Sequence, residues 1–217
     1  MGTRGTWAVL AATVVLLNFS TTARAVTGGQ VDTFEDGTIM GWSGAAPANI
    51  STGGPSGAND NYLKLTSTNN LAAFNLNQWS GNYASAGITD VALDLLNPNE
   101  DPVQMRLVLI GANGTRWTSI TPADVPGDNT WRRYVLSLRQ ADLVNVQDTG
   151  DTWAASMANA QRLLIRHDTG PGAGGTHFIG TLGMDNITAV VPEPASTALL
   201  LASAALVVHR RRPRRRS

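Results

Sequence analysis

Apolar residues fall into two contrasting kinds of segment. At the ends they run nearly unbroken, from Trp7 to Leu17 and from Ala198 to Val208; between residues 26 and 190 they come in short runs. Val91, Leu93 and Leu95 alternate with Ala92 and Asp94, the period-two pattern of a strand with one buried face. Strand character covers Ile88–Leu96, Val103–Ile110, Arg116–Ile120, Trp131–Leu138, Arg162–His167 and Thr176–Val190. Turn chemistry separates them: Asn97-Pro98-Asn99, Gly111-Ala112-Asn113-Gly114, Pro126-Gly127-Asp128-Asn129 and Asp168-Thr169-Gly170-Pro171-Gly172. Asn113-Gly114 between two apolar runs is a hairpin signal. Only Asp151–Asn159 predicts a helix, and residues 43–61, rich in Gly, Ser, Ala and Asn, predict a surface loop. Many short strands joined by such turns predict one all-β sandwich over residues 26–190.

The end segments read as targeting signals. Arg4, the apolar run from Trp7 and the Ala23-Arg24-Ala25 site compose a secretory signal over residues 1–25. At the other end Pro192-Glu193-Pro194 precedes an apolar stretch and six terminal arginines. A helix over residues 195–208 would be roughly 21 Å long, short of a hydrocarbon core of about 30 Å. His209 and Arg210 at its end can snorkel to the interface, so the stretch predicts a single membrane helix. The arginines stay on the cytoplasmic side, and the domain before them faces outward.

Charge is unevenly spread. The 217 residues carry 16 basic and 16 acidic side chains. Arg4, Arg24 and the six terminal arginines lie outside the central region, which keeps eight basic residues, with Lys64 its only lysine. The central domain is therefore acidic, which disfavours nucleic acid as a partner. The chain has no cysteine, which excludes disulfides, thiol nucleophiles and thiolate-bound zinc.

The tail over residues 191–217, with its Pro192-Glu193-Pro194 signature, apolar helix and arginine end, resembles the PEP-CTERM sorting domain. That resemblance implies handling by an exosortase in an exopolysaccharide-producing Gram-negative bacterium. The protein would be anchored in the inner membrane through residues 195–208, then passed to the cell surface or extracellular matrix. The prolines keep the segment above the membrane extended and open to a protease.

The central region resembles jelly-roll carbohydrate-binding modules. Asp32-Thr33-Phe34-Glu35-Asp36-Gly37, followed by Gly41-Trp42, is similar to their opening strand. Trp131-Arg132-Arg133-Tyr134-Val135-Leu136-Ser137-Leu138 is similar to a middle strand, and Met184-Asp185-Asn186-Ile187 to the closing one. The resemblance implies a jelly-roll-like β-sandwich whose first and last strands pair. It also implies structural calcium held there by Glu35 and Asp185, with Asp32 or Asp36 assisting; calcium takes six to eight oxygen ligands. Sugar binding needs exposed aromatic planes. Trp42 and Trp131, inside the fold-like motifs, are expected in the core; Trp79 and Trp117, with polar neighbours, are expected as exposed ligand-binding residues.

Other patterns carry less. Gly170-Pro171-Gly172-Ala173-Gly174-Gly175 matches G-x-G-x-x-G, but strand-like residues follow it where a dinucleotide site needs a helix. It is expected to be a hairpin loop. His167 and His177 are expected on a sheet surface. No acid sits in a hydrolase motif, although such an enzyme needs two facing carboxyls. The sequence thus predicts a non-catalytic exported surface or matrix protein with exopolysaccharide as a partner. The alternatives are a polysaccharide-acting hydrolase or lyase and a purely structural envelope protein.

Overall fold

The structure is a computed structural model that describes residues 25–193. The secretory signal up to Arg24, Pro194, the apolar segment 195–208 and the arginine end lie outside the described residues. Among the described residues no helix is long and apolar enough to cross a membrane.

Two antiparallel sheets face each other. The six-stranded sheet runs β10 (Arg132–Ser137), β6 (Asp90–Leu96), β13 (Gly180–Val190), β4 (Tyr62–Ser67), β3 (Ala48–Ile50), with β1 (Val31–Asp32) also on β13. The seven-stranded sheet runs β11 (Leu143–Gln147), β8 (Arg116–Ser119), β7 (Val103–Gly111), β12 (Ala160–His167), β5 (Ala72–Asn75), β2 (Trp42–Gly44), with β9 (Ala123–Val125) also on β7. A 3-10 turn, Gln140–Asp142, precedes β11, and one helix, α1 (Trp153–Ala158), precedes β12. The Thr152 hydroxyl caps α1 by accepting from the Ala155 N–H, as Thr does at an N-cap.

The alternation read at Val91, Leu93 and Leu95 is the inward face of β6. All three are fully buried, against Leu63, Leu65, Leu182 and Met184 of the same sheet and Leu107, Leu109, Leu163 and Ile165 of the other. The predicted strands appear with shifted ends, the last starting at Gly180 rather than Thr176. Seven strands beyond these runs, β1, β2, β3, β4, β5, β9 and β11, have only two to six residues each, too short for a stable period. β3 falls inside the segment expected to be a loop. It exists because its backbone pairs with β4, Asn49 opposite Leu63.

The first and last strands do pair, Val31 opposite Thr188 and Asp32 opposite Ile187. The closing strand bulges between Asp185 and Thr188 where it meets β6. Asn186 sits at the bulge with φ 49°, a left-handed conformation that asparagine tolerates better than most residues. Asp185, opposite Asp94 on the side of the sheet away from Met184 and Leu95, is nevertheless only 1% exposed.

Candidate functional site

Three constellations stand out. The first is built around Asp32 at the start of the fold. Its Oδ2 accepts both the Trp42 and the Trp79 indole N–H at 2.7 Å. Burial pushes the carboxyl above its usual value, and these indole bonds oppose the shift. Trp79 is fully buried. The expectation of an exposed ring there is wrong, because the indole N–H is spent on a buried carboxylate and the ring packs beside Trp42, centroids 6.1 Å apart. Trp42 is in the core as expected. Trp131 is not: it lies half-buried on the outside of the six-stranded sheet, edge-on to Tyr62, with its N–H on the Gly53 carbonyl at 2.9 Å. Gly183 makes room for it, since a Cβ there would meet the ring at 2.8 Å. Trp117 is half-buried too. It stands opposite Leu109, in the row facing the other sheet, and surfaces at the sandwich margin beside Asn145 and Trp153 in a hollow of about 360 Å³.

The second constellation is the acidic corner around Asp185. The carboxyl is pushed up to about 7, first by burial and then by repulsion from Asp60, Asp94 and Glu35. Its hydrogen bonds come from Asn186 alone, the N–H at 2.7 Å and the amide at 3.4 Å. Asp94 shares the corner and is paired with Arg133 at 3.3 Å. Glu35 accepts the Asn61 N–H at 2.8 Å. Phe34 beside it has φ 59°, a strained value for a bulky residue, and its carbonyl accepts from the Asn49 and Asn61 amides. Glu35 and Asp185 thus come into one neighbourhood. Among the described residues no three acidic or histidine side chains converge as a metal-binding group. Calcium also accepts amide and carbonyl oxygens, which Asn49, Asn61 and Phe34 supply here.

The third constellation was missed by sequence reasoning. It covers the outer face of the seven-stranded sheet. Residues directly opposite across a ladder share a face, so the pairings define three rows. The central row is Phe74, Leu164, Val108, Thr118 and Val144. On one side lies Arg162, Ile110, Arg116; on the other Ala72, Arg166, Arg106. An apolar floor is therefore flanked by guanidinium groups from β7, β8 and β12. The Arg162 guanidinium carbon lies 5.1 Å from the Phe74 ring centre. Two adjoining hollows, of about 370 and 230 Å³, share Asn70 and Ala72 and take in Phe74, Leu164, Arg116 and Arg166.

The glycine-rich loop shapes one end of this face. The Ala173 carbonyl accepts from Arg116 at 2.6 Å and from Arg166 at 3.0 Å, and the Gly172 carbonyl also accepts from Arg166. Gly175 packs so closely that a Cβ would lie 3.0 Å from the His167 carbonyl oxygen. The G-x-G-x-x-G match is thus a loop that covers arginine side chains, and no helix follows it. His167 accepts the Gln104 N–H at 3.1 Å and stacks near Phe178, while His177 is exposed. Burial lowers the affinity of His167 for a proton.

No family model and none of the curated proteins compared matches the chain. Solved structures do. An exo-beta-agarase matches over 77% of this chain with TM-score 0.54 and 14% identity, and a second agarase over 76% with TM-score 0.51 and 11% identity. The chain spans only 26% and 25% of those two proteins. A family 11 carbohydrate-binding module of a cellulosomal cellulase of Clostridium thermocellum is covered over 96% of its length, with 77% of this chain, 14% identity and TM-score 0.48. The likeness to the two agarases is one of fold, and the chain's own fold is an all-β two-sheet sandwich.

Proposed function

We propose that this chain is an exported, non-catalytic carbohydrate-binding protein of the bacterial cell surface or matrix, and that it holds glycan on the outer face of the seven-stranded sheet. The observation that carries this reading is the apolar floor of Phe74 and Leu164 between rows of hydrogen-bond donors, open to two adjoining hollows. A sugar ring offers an apolar C–H face to such a floor and hydroxyls to its rims. The side chains lining the hollows are apolar, hydroxyl, amide, imidazole and guanidinium groups, suited to holding a polymer. A hydrolase would set two carboxyls across the cleft.

Export and sorting belong to the same proposal. The secretory signal, the PEP-CTERM-like tail, the exosortase as partner and transient anchoring through residues 195–208 rest on the sequence pattern. Two details support the ends. Val26, the first residue after the Ala23-Arg24-Ala25 site, is buried and its N–H bonds the Ser80 carbonyl at 2.7 Å, so the packed domain includes the residue that cleavage would leave first. Val191, Pro192 and Glu193 are exposed directly after β13, so the tail leaves from the surface. Protein extracted from the cell surface should have an intact mass that starts at Val26 and lacks the arginine block; chains still ending at Ser217 would overturn the sorting reading. Calcium at Glu35 and Asp185 is proposed as a structural ion, outside the binding face.

Affinity electrophoresis against a panel of neutral and acidic polysaccharides tests the binding face. At least one polymer should retard the protein. Phe74→Ala should abolish that retardation with little change in melting temperature. No retardation by any polymer, or retardation indifferent to Phe74→Ala, would overturn the assignment.

A further inference from the structure

Eight basic residues lie in the described domain, Lys64 and seven arginines. Four of the seven, Arg106, Arg116, Arg162 and Arg166, are on the outer face of the seven-stranded sheet by register. Elsewhere each arginine has a carboxylate: Arg132 pairs with Asp128, Arg133 with Asp94 and Arg139 with Asp90. On this face the described residues give one ion pair, Asp168 at 3.0 Å from Arg166, and Asp124, opposite Gln104, accepts from that amide instead. Arg106 spends its donors on the carbonyls of Asp168, Ser119 and Ile120. Arg116 has one carbonyl, that of Ala173. Arg162 makes no hydrogen bond within the domain and rests on Phe74. The Nε atoms of Arg116, Arg162 and Arg166 are all buried without a partner.

Unpartnered buried donors on a charged group are costly. Crowding adds to that cost: burial and then the nearby Arg116 hold Arg162 below its ordinary value, and burial, Arg116 and Arg106 do the same to Arg166 while Asp168 opposes them. A guanidinium does not escape by losing its proton, since its ordinary pKa is above 12. What remains is an external anion. Arg116 and Arg162 stand on either side of Ile110 in neighbouring strands, so about 10 Å separates their backbones.

We propose that this face binds a polysaccharide carrying anionic substituents, uronate carboxylates or sulfate esters, with Arg116 and Arg162 receiving the anions while Phe74 and Leu164 take the sugar ring. This rests on the glycan-binding reading above and names its ligand class. Carboxylate and sulfate both present the planar or forked oxygens that a guanidinium binds in pairs. The cationic patch is local in a domain with 15 acidic residues over 26–190. It suits a glycan that brings its anionic groups into one groove.

The test is affinity electrophoresis of the purified protein in polygalacturonate, dextran sulfate and neutral galactan or glucan, with an oligonucleotide as competitor. Polygalacturonate or dextran sulfate should retard it, and the polymer that does so tells carboxylate from sulfate; retardation by both assigns the shared chemistry. Binding should fall about tenfold or more in Arg116→Gln/Arg162→Gln and weaken as salt rises from about 50 to 200 mM. Melting should hold in Arg162→Gln, which breaks no hydrogen bond. If that variant unfolds, Arg162→Lys and the salt series on the parent protein carry the same test. Retardation by neutral polymers alone, lost in Phe74→Ala but not in the arginine variants, would overturn this inference and leave the binding face standing. Retardation by nothing would overturn both. Equal displacement by the oligonucleotide would overturn the glycan assignment in favour of an unselective polyanion site.

Discussion

The acidic corner around Asp185 and the arginine face of the seven-stranded sheet are both clusters of like charge, and the protein leaves them in different chemical positions. In the corner, the buried carboxyl is raised to about 7, so a proton can relieve the repulsion at ordinary pH, and so can a cation. On the sheet face the crowded groups are guanidiniums, which keep their protons at any such pH, so the relief must come from outside. Asp32 shows the third solution. There the charge is met inside the fold, by two indole N–H donors at 2.7 Å. The three differ in what can offset the charge: a proton or a cation, an external anion, or donors inside the fold.

The contrast breaks first at Asp32 if its donors are not structural. Trp79→Ala should cost about 3–5 kcal/mol, because it opens a large cavity and removes one donor from a buried carboxylate. Trp117→Ala, at the half-exposed margin, should cost less than half of that. Urea denaturation of both variants measures the difference, and a Trp79 variant as stable as the parent would return that ring to the surface.

The corner gives the next largest effect. Unfolded Asp185 titrates near 3.8 and folded Asp185 near 7. Between these values the native state holds a proton that the unfolded state lacks, so metal-free stability should fall as pH rises through the window. The contribution is of order 4 kcal/mol and is complete above pH 7. Asp185→Asn should flatten that dependence in chemical denaturation at pH 5 and pH 8; an unchanged slope would place the titration elsewhere.

Calcium should replace the proton. At a hundredfold excess over its dissociation constant it would raise stability by about 2.7 kcal/mol, most visibly above pH 7 where Asp185 is ionised. Thermal melts with chelator and with added calcium measure this. Glu35→Gln/Asp185→Asn should abolish the response, and a parent protein indifferent to chelator would reject the ion.

Much of the sandwich was legible in the chain, since alternation at Val91, Leu93 and Leu95 and the turn dipeptides are local signals. The pairing of the first and last strands, which the motif resemblance implied, is present, and it puts Glu35 and Asp185 in one neighbourhood. The tryptophans were not legible, because burial of Trp79 and half-exposure of Trp131 depend on what lies opposite them: Asp32 for one, Gly183 and Tyr62 for the other.

By itself the sequence determined the class of fold, the short helix within Asp151–Asn159, the acidic balance and the pattern of the two ends, because each depends on neighbours in the chain or on composition. Only the tertiary structure decided that Arg106, Arg116, Arg162 and Arg166 share a surface. They stand on three strands, and the face each side chain takes is set by the register of β12 on β7 and of β7 on β8. A shift of one residue in either ladder would send an arginine to the opposite side of the sheet. Composition records their number, and the long-range hydrogen-bond register records where their charge is put.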